Sequence, residues 1–155
     1  YLKHWGGENI PDGQENFPVV YVSIDDARAY AKWAKKRIPS ELEWQYAAQG
    51  PNAWLWPWGN SPDSTGVKCN PGNGVPDQVG EYPKGANPYG LEDLTGCVWQ
   101  LLKGGSYFNP KASWWYVEGG AKPLTHRQQH ALVSPGYERC ATIGFRCVKD
   151  AGKDY

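Results

Sequence analysis

The sequence predicts an α+β domain with much irregular backbone. Three observations carry that expectation. Two helix starts are written in capping residues between positions 23 and 50. A run from Gly50 to about Gly96 shows neither a helical nor a strand period, and three short strand candidates follow it.

Taken in order, FPVVYV at 17–22 reads as a short buried strand. Ser23 then opens a helix, with its hydroxyl placed to cap the Asp26 amide and Asp26 in the first turn, where the helix dipole favours negative charge. Ala27, Tyr30, Ala31 and Ala34 follow at helical spacing and define its inner face. The Arg37-Ile38-Pro39-Ser40 turn delivers the chain into a second helix. There Ser40 and Glu43 form a capping box, and the helix runs through Trp44 and Ala47 to stop at Gly50. The long irregular run that follows counts against an ordinary α/β or sandwich fold. Trp54, Trp56 and Trp58 are its expected anchors. The strand candidates are Val98–Leu102, Gly105–Phe108 and Ile143–Val148, and no internal repeat is visible.

Composition narrows the function classes. The 155 residues fit one domain spanning 1–155, long enough to bury a core. Sixteen basic residues balance sixteen acidic ones without a basic patch, which argues against nucleic acid as a partner. No apolar run reaches membrane-spanning length. A first residue of Tyr predicts a fragment or a mature product, with any targeting segment upstream. Gly and Pro are abundant, yet so are Trp and Tyr, and disordered chains are poor in aromatics. Irregular backbone pinned by large rings reconciles the two. The four cysteines, 69, 97, 140 and 147, allow three disulfide pairings and contain no C-x-x-C pair, so a zinc knuckle is not expected.

The order of motifs is more specific than any one of them. PVVYVSIDDARAYAKWAKKRIPSELEWQYAAQG is followed by WPWGN, then VGEYPKGANPYGLEDLTGCVWQ, KGGSY and IGFRC. This series resembles the formylglycine-generating enzyme family, also called sulfatase-modifying factors, over roughly residues 15–108 and 135–149. The resemblance implies a C-type lectin-like fold of the formylglycine-generating enzyme type, with irregular backbone as a normal feature. Trp44, Trp58 and Trp99 are then expected core anchors, and Arg146 a buried structural arginine satisfied by carbonyls.

The same resemblance implies chemistry that this sequence departs from. The family's enzymes bind copper(I) through a C-x4-C pair shortly after the GGS motif, two soft thiolates suiting that ion. The equivalent positions fall near Trp114 and Gly119, and neither is a cysteine. At Cys97 and Gln100 most relatives carry Asn and Glu, in a segment that helps bind calcium through hard oxygen ligands. Cys97 is therefore expected to mark a lost calcium ligand, buried against Trp99 or held in a disulfide, and not a gained nucleophile. Asn70 matches an Asn of another family calcium site, so calcium near Asn70 is the one cofactor expectation; otherwise none is expected.

Other constellations are weaker. His126 and His130 stand at i,i+4, a zinc spacing, but a third ligand is not evident and Arg127 occupies the place of a zinc protease's Glu. No G-x-S-x-G elbow exists, and Ser23 and Ser40 are already caps. Asp25-Asp26 and Glu41/Glu43 belong to helix first turns, which weakens paired-carboxylate hydrolysis. The sugar-binding motifs EPN, QPD and WND are absent.

The segment between GGSY and GFR has lost the catalytic residues and gained Trp, Tyr, His and Arg, the side chains of recognition surfaces. The expected ligand-binding residues are Tyr107, Phe108, Asn109, Ser113, Trp114, Tyr116, Leu124, Thr125, His126 and His130. One of Trp114 and Trp115 is expected to face the core, because neighbours on a strand point opposite ways. A non-catalytic domain of this kind also resembles the variable proteins of diversity-generating retroelements, which display mutable side chains on the same fold. Phe108, Asn109, Ser113, Tyr116, Leu124, Thr125, His126 and His130 are compatible with adenine-directed variation of AAY-type codons, whereas Trp114, Trp115, Glu118 and Lys122 are not. The expectation is a non-enzymatic, monomeric display domain that binds a protein ligand, at a cell surface or secreted.

Overall fold

The computed structural model describes residues 3, 5–72, 76–100, 105–106, 120–121, 139 and 141–152. The first helix, α1, is Ile24–Trp33, and the second, α2, is Glu41–Gln49. Both start with a complete capping box. Ser23 accepts from the Asp26 amide and Asp26 accepts from the Ser23 amide; Ser40 and Glu43 make the same exchange. Gly50 ends α2 at φ 64°, a backbone state that favours glycine.

The strand expected at 17–22 is not a strand. Tyr21 sits at φ 58°, and one left-handed residue breaks the two-residue period that a strand needs. Val20 and Val22 are still buried, while Val19 is exposed. On α1, Ala27 and Ala31 face the core as expected, but Tyr30 is 51% exposed and Ala34 is half-buried at the C-cap. Small side chains let the helix backbone approach the core closely, and the long Tyr30 ring is left at the rim.

Among the described residues from Gly50 to Gly96 the backbone is irregular, apart from a 3-10 turn at Pro83–Gly85. Buried amides organise it. The Asn87 side chain donates to the Ala47 carbonyl on α2 and accepts from the amides of Tyr89 and Leu91. Leu94 packs on Trp44 and Ala48, with Leu91 alongside, so α2 and the irregular run share one apolar cluster. Trp56 is buried and stacks on Trp58 at 5.6 Å. Trp58 itself is only half-buried, bound through its indole N–H to the Ser61 carbonyl and lying beneath the Lys68 ammonium. It is a loop anchor and not the core residue expected.

Four short strands are described; the strand expected at Ile143–Val148 is reduced to its first two residues, and 101–102 and 107–108 of the other two expected strands lie outside the described residues. The four are β1 Trp99–Gln100, β2 Gly105–Ser106, β3 Gly120–Ala121 and β4 Ile143–Gly144. β1 pairs parallel with β4 in the register Trp99 to Ile143, and β2 pairs antiparallel with β3 in the register Gly105 to Ala121. Val148 continues beyond β4 only as a bridge to Arg37. The Arg37 guanidinium forks onto Glu43 at 2.7 and 2.6 Å and reaches Asp150 at 2.9 Å, tying the C-terminal stretch to the start of α2. Among the described residues no helix is long and apolar enough to cross a membrane.

Candidate functional site

The ten expected ligand-binding residues, Tyr107, Phe108, Asn109, Ser113, Trp114, Tyr116, Leu124, Thr125, His126 and His130, lie outside the described residues. What is described is the frame that receives them. The ladder pairs Gly105 with Ala121 and Ser106 with Gly120, the residues that flank 107–119 in the sequence. The stretch 122–138 leaves from β3 and returns at Arg139, followed closely by β4. Arg139 donates from Nε to Asp26 at 2.9 Å and from Nη2 to the other Asp26 oxygen at 3.1 Å. The Arg139 guanidinium and the α1 capping bonds together hold the Asp26 carboxyl down at about 2.

Next to Asp26 opens a cleft of about 620 Å³, whose lining includes Phe17, Val22, Asp26, Tyr30, Cys97 and Phe145. Tyr30 and Phe145 meet edge to face at 5.6 Å. Sequence reasoning did not find this cleft. Its walls come from stretches far apart in the chain, around Phe17–Tyr30, Cys97 and Phe145 among others, and no local pattern joins them.

Cys97 settles as a buried thiol. It packs with Val20 and Val98, and it is free, as are Cys69 and Cys147. The disulfide alternative is therefore set aside for these three; Cys140 lies outside the described residues. Burial, then the nearby Asp93 and Asp77, push the Cys97 thiol up to about 12; burial raises Cys69 to about 11. Neither is a nucleophile near neutral pH. At pH 8 iodoacetamide is expected to alkylate the half-buried Cys147 first, with Cys69 and Cys97 reacting only in denaturant; peptide mass mapping reads the order. The linkage has a definite sign. Both thiols stay neutral in the fold but ionise in the unfolded chain, so their contribution to stability is complete below about pH 9 and declines as pH rises above it. Rapid alkylation of Cys97 in the native state would contradict the packed position.

Arg146 is satisfied by carbonyls as expected, donating to Glu92 at 2.8 Å and Asp93 at 3.2 Å. Asn70 is fully buried. Its amide donates to Asp77 at 2.7 Å, and its oxygen accepts the Gly72 N–H at 2.8 Å. Among the described residues no group of three or more His, Cys, Asp or Glu residues is placed to hold a metal ion.

Comparison with known proteins adds the family context. The model of the family described as "Sulfatase-modifying factor enzyme 1-like domain" matches residues 3–151. The inactive C-alpha-formylglycine-generating enzyme 2 of Bos taurus is 33% identical over 163 residues, covering 88% of this chain and 52% of the relative. The formylglycine-generating enzyme of Streptomyces coelicolor is 37% identical over 189 residues, covering 96% of this chain and 59% of the relative. The hercynine oxygenase of Mycolicibacterium smegmatis is 42% identical over 98 residues, covering 60% of this chain and 22% of the relative. The chain spans about half the length of the first curated relatives it matches.

Proposed function

Because the chain belongs to the sulfatase-modifying factor enzyme 1-like family, we propose that it is a non-catalytic member, a binding domain that presents the segment 107–138 from a formylglycine-generating-enzyme-type, C-type lectin-like scaffold. One observation carries the reading. Cysteines stand only at 69, 97, 140 and 147, so no two have the C-x4-C spacing. Copper(I) needs two soft thiolates, and the two buried thiols, Cys69 and Cys97, stay protonated near neutral pH. These residues do not fit the copper site of the family's enzymes, and no catalytic step is assigned. The relatives named as inactive enzymes support the same reading.

In its finer form, the ligand is a protein met by a monomer at a cell surface or in the secreted state. The residues involved are Tyr116, one of Trp114 and Trp115, and the polar His126 and Asn109. The domain would be the variable protein of a diversity-generating retroelement. A reverse transcriptase gene beside a near-copy of the 3′ coding end, differing mainly at adenines, would support that origin.

A second reading, an oxidative enzyme using other residues, is favoured by the relatives named formylglycine-generating enzyme and hercynine oxygenase. A direct assay separates the two. With copper(I), oxygen and a sulfatase-type cysteine peptide, formylglycine is expected to stay at background, and production above background would overturn the non-catalytic reading. In parallel, Tyr116→Ala and His126→Ala are expected to abolish capture from a surface-protein library while leaving Tm nearly unchanged. Unfolding by both substitutions would place those side chains in the core.

A further inference from the structure

The cleft beside Asp26 is lined by residues outside the segment 107–138. Its volume of about 620 Å³ falls in the range of small-molecule sites, roughly 300–1,000 Å³. Trp5, Phe17, Tyr30 and Phe145 give it aromatic walls. Such rings offer apolar area to the body of a ligand and a negative face to a cation.

Five charged side chains line the same cleft, Asp26, Lys36, Glu92, Asp93 and Arg146, and three of them are already engaged. Asp26 is held by the Arg139 guanidinium and by the cap of α1. Arg146 donates to the Glu92 and Asp93 carbonyls. The Asp93 carboxylate accepts the Gly80 N–H at 2.8 Å and offsets the buried Arg146 charge. Lys36 and Glu92 remain. Among the described residues neither of these two side chains has a hydrogen bond or an ion pair. The Glu92 carboxylate is half-buried over Gly80, 3.1 Å from where a β-carbon would stand. Asp93 beside it is held at φ 56°, backbone strain of the kind that collects at ligand sites. Lys36 is exposed, and its charge offsets part of the rise that burial gives the Cys147 thiol, which puts the ammonium on the Cys147 side of the cleft.

We propose that this cleft binds a small zwitterion of the α-amino-acid type with an apolar side chain. The ligand ammonium meets the Glu92 carboxylate, the ligand carboxylate meets the Lys36 ammonium, and the side chain lies among the four rings. Charge decides between ligand classes. A simple cation satisfies Glu92 but meets Lys36 as a like charge, and a simple anion does the reverse. An uncharged apolar molecule strips water from both charges and returns nothing. Only a ligand carrying both signs answers both. The flexible four-carbon stem of Lys36 lets its ammonium close over a bound carboxylate. This site shares no residue with the protein-binding surface proposed above and does not depend on it.

Titration calorimetry of the whole chain near neutral pH tests the proposal with L-phenylalanine and L-leucine as probes. Phenethylamine lacks the carboxylate of phenylalanine, and 3-phenylpropanoate lacks its ammonium. At least one amino acid is expected to bind saturably. Where phenylalanine binds, each truncated analogue is expected to bind about tenfold more weakly, the scale of losing one charge-assisted contact. Glu92→Gln is expected to weaken amino-acid binding about tenfold without weakening 3-phenylpropanoate. Lys36→Gln is expected to do the same without weakening phenethylamine. Neither substitution is expected to lower Tm, since neither side chain holds a contact within the described fold. Saturable binding of neither amino acid would overturn the proposal. So would phenethylamine binding as tightly as phenylalanine, which would make this an amine site. Equal weakening of every ligand by both substitutions would also overturn it, because the two charges would then act on the shape of the cleft and not on the ligand. The wild-type comparison among ligands stands even where a variant does not fold.

Discussion

Gly85→Ala is expected to destabilise the domain by about 3 kcal/mol or more, lowering Tm by roughly 6–12 °C. A β-carbon built on Gly85 would stand 1.7 Å from the Lys68 carbonyl oxygen and 2.8 Å from its carbon. Both atoms are backbone, so no side-chain rotation relieves the overlap. Gly85 closes the Pro83–Gly85 turn with its N–H on the Tyr82 carbonyl at 2.8 Å, and the opposing strand of chain leads directly into buried Cys69 and Asn70. Either the turn or that buried pair must move. Gly90→Ala is the control. Gly90 has open space around it but sits at φ +74°, so its cost is backbone strain alone, about 1 kcal/mol. Thermal melts compare the two directly, and equal losses of Tm would show that the close approach at Gly85 is not what limits substitution there.

The second large effect is expected at Arg146. Arg146→Met keeps the apolar stem and removes the donor that reaches the Glu92 and Asp93 carbonyls. Burial already presses on this cation and lowers its pKa, with Asp93 first among the charges that offset the cost. Removing a charged donor from two carbonyls costs about 3 kcal/mol, by the usual worth of charge-assisted hydrogen bonds. The loss falls where it matters for the irregular run. Asp93 is held at φ 56° and accepts the Gly80 N–H at 2.8 Å, so its backbone depends on being pinned from several sides. Arg146→Lys is expected to recover only part of the stability, because an ammonium does not reproduce the guanidinium geometry. Chemical denaturation measures both variants, and a full rescue by Lys would mean that charge alone is required. Arg146 also lowers the Cys97 pKa, so Arg146→Met is expected to make native-state alkylation of Cys97 slower still, provided the fold holds.

Legibility in the sequence tracked the range of the interactions. Ser23, Asp26, Ser40 and Glu43 were readable because a capping box closes within three residues. The stop of α2 at Gly50 was readable because a left-handed C-cap is a property of one residue. The FPVVYV strand was misread for the converse reason. Its composition favours a strand, but tertiary packing places Tyr21 in a left-handed state, with the Val19 carbonyl against the site of Gly144. The β3 strand at Gly120–Ala121 carried no strand signal, being small residues paired by the ladder opposite them.

The sequence by itself determined the two helices, the long irregular run, the family motifs and the absence of a C-x4-C pair, because each is a statement about residues close in the chain. The tertiary structure decided what Cys97 becomes, since its thiol is raised first by burial, in a cluster with the distant Val20, and then by Asp93 and Asp77. It also decided that Asp26, legible only as a helix cap, holds Arg139 as well. A carboxylate has two oxygens and room for several donors. Local sequence names the donor three residues away, and only the folded chain brings the one that lies 113 residues distant.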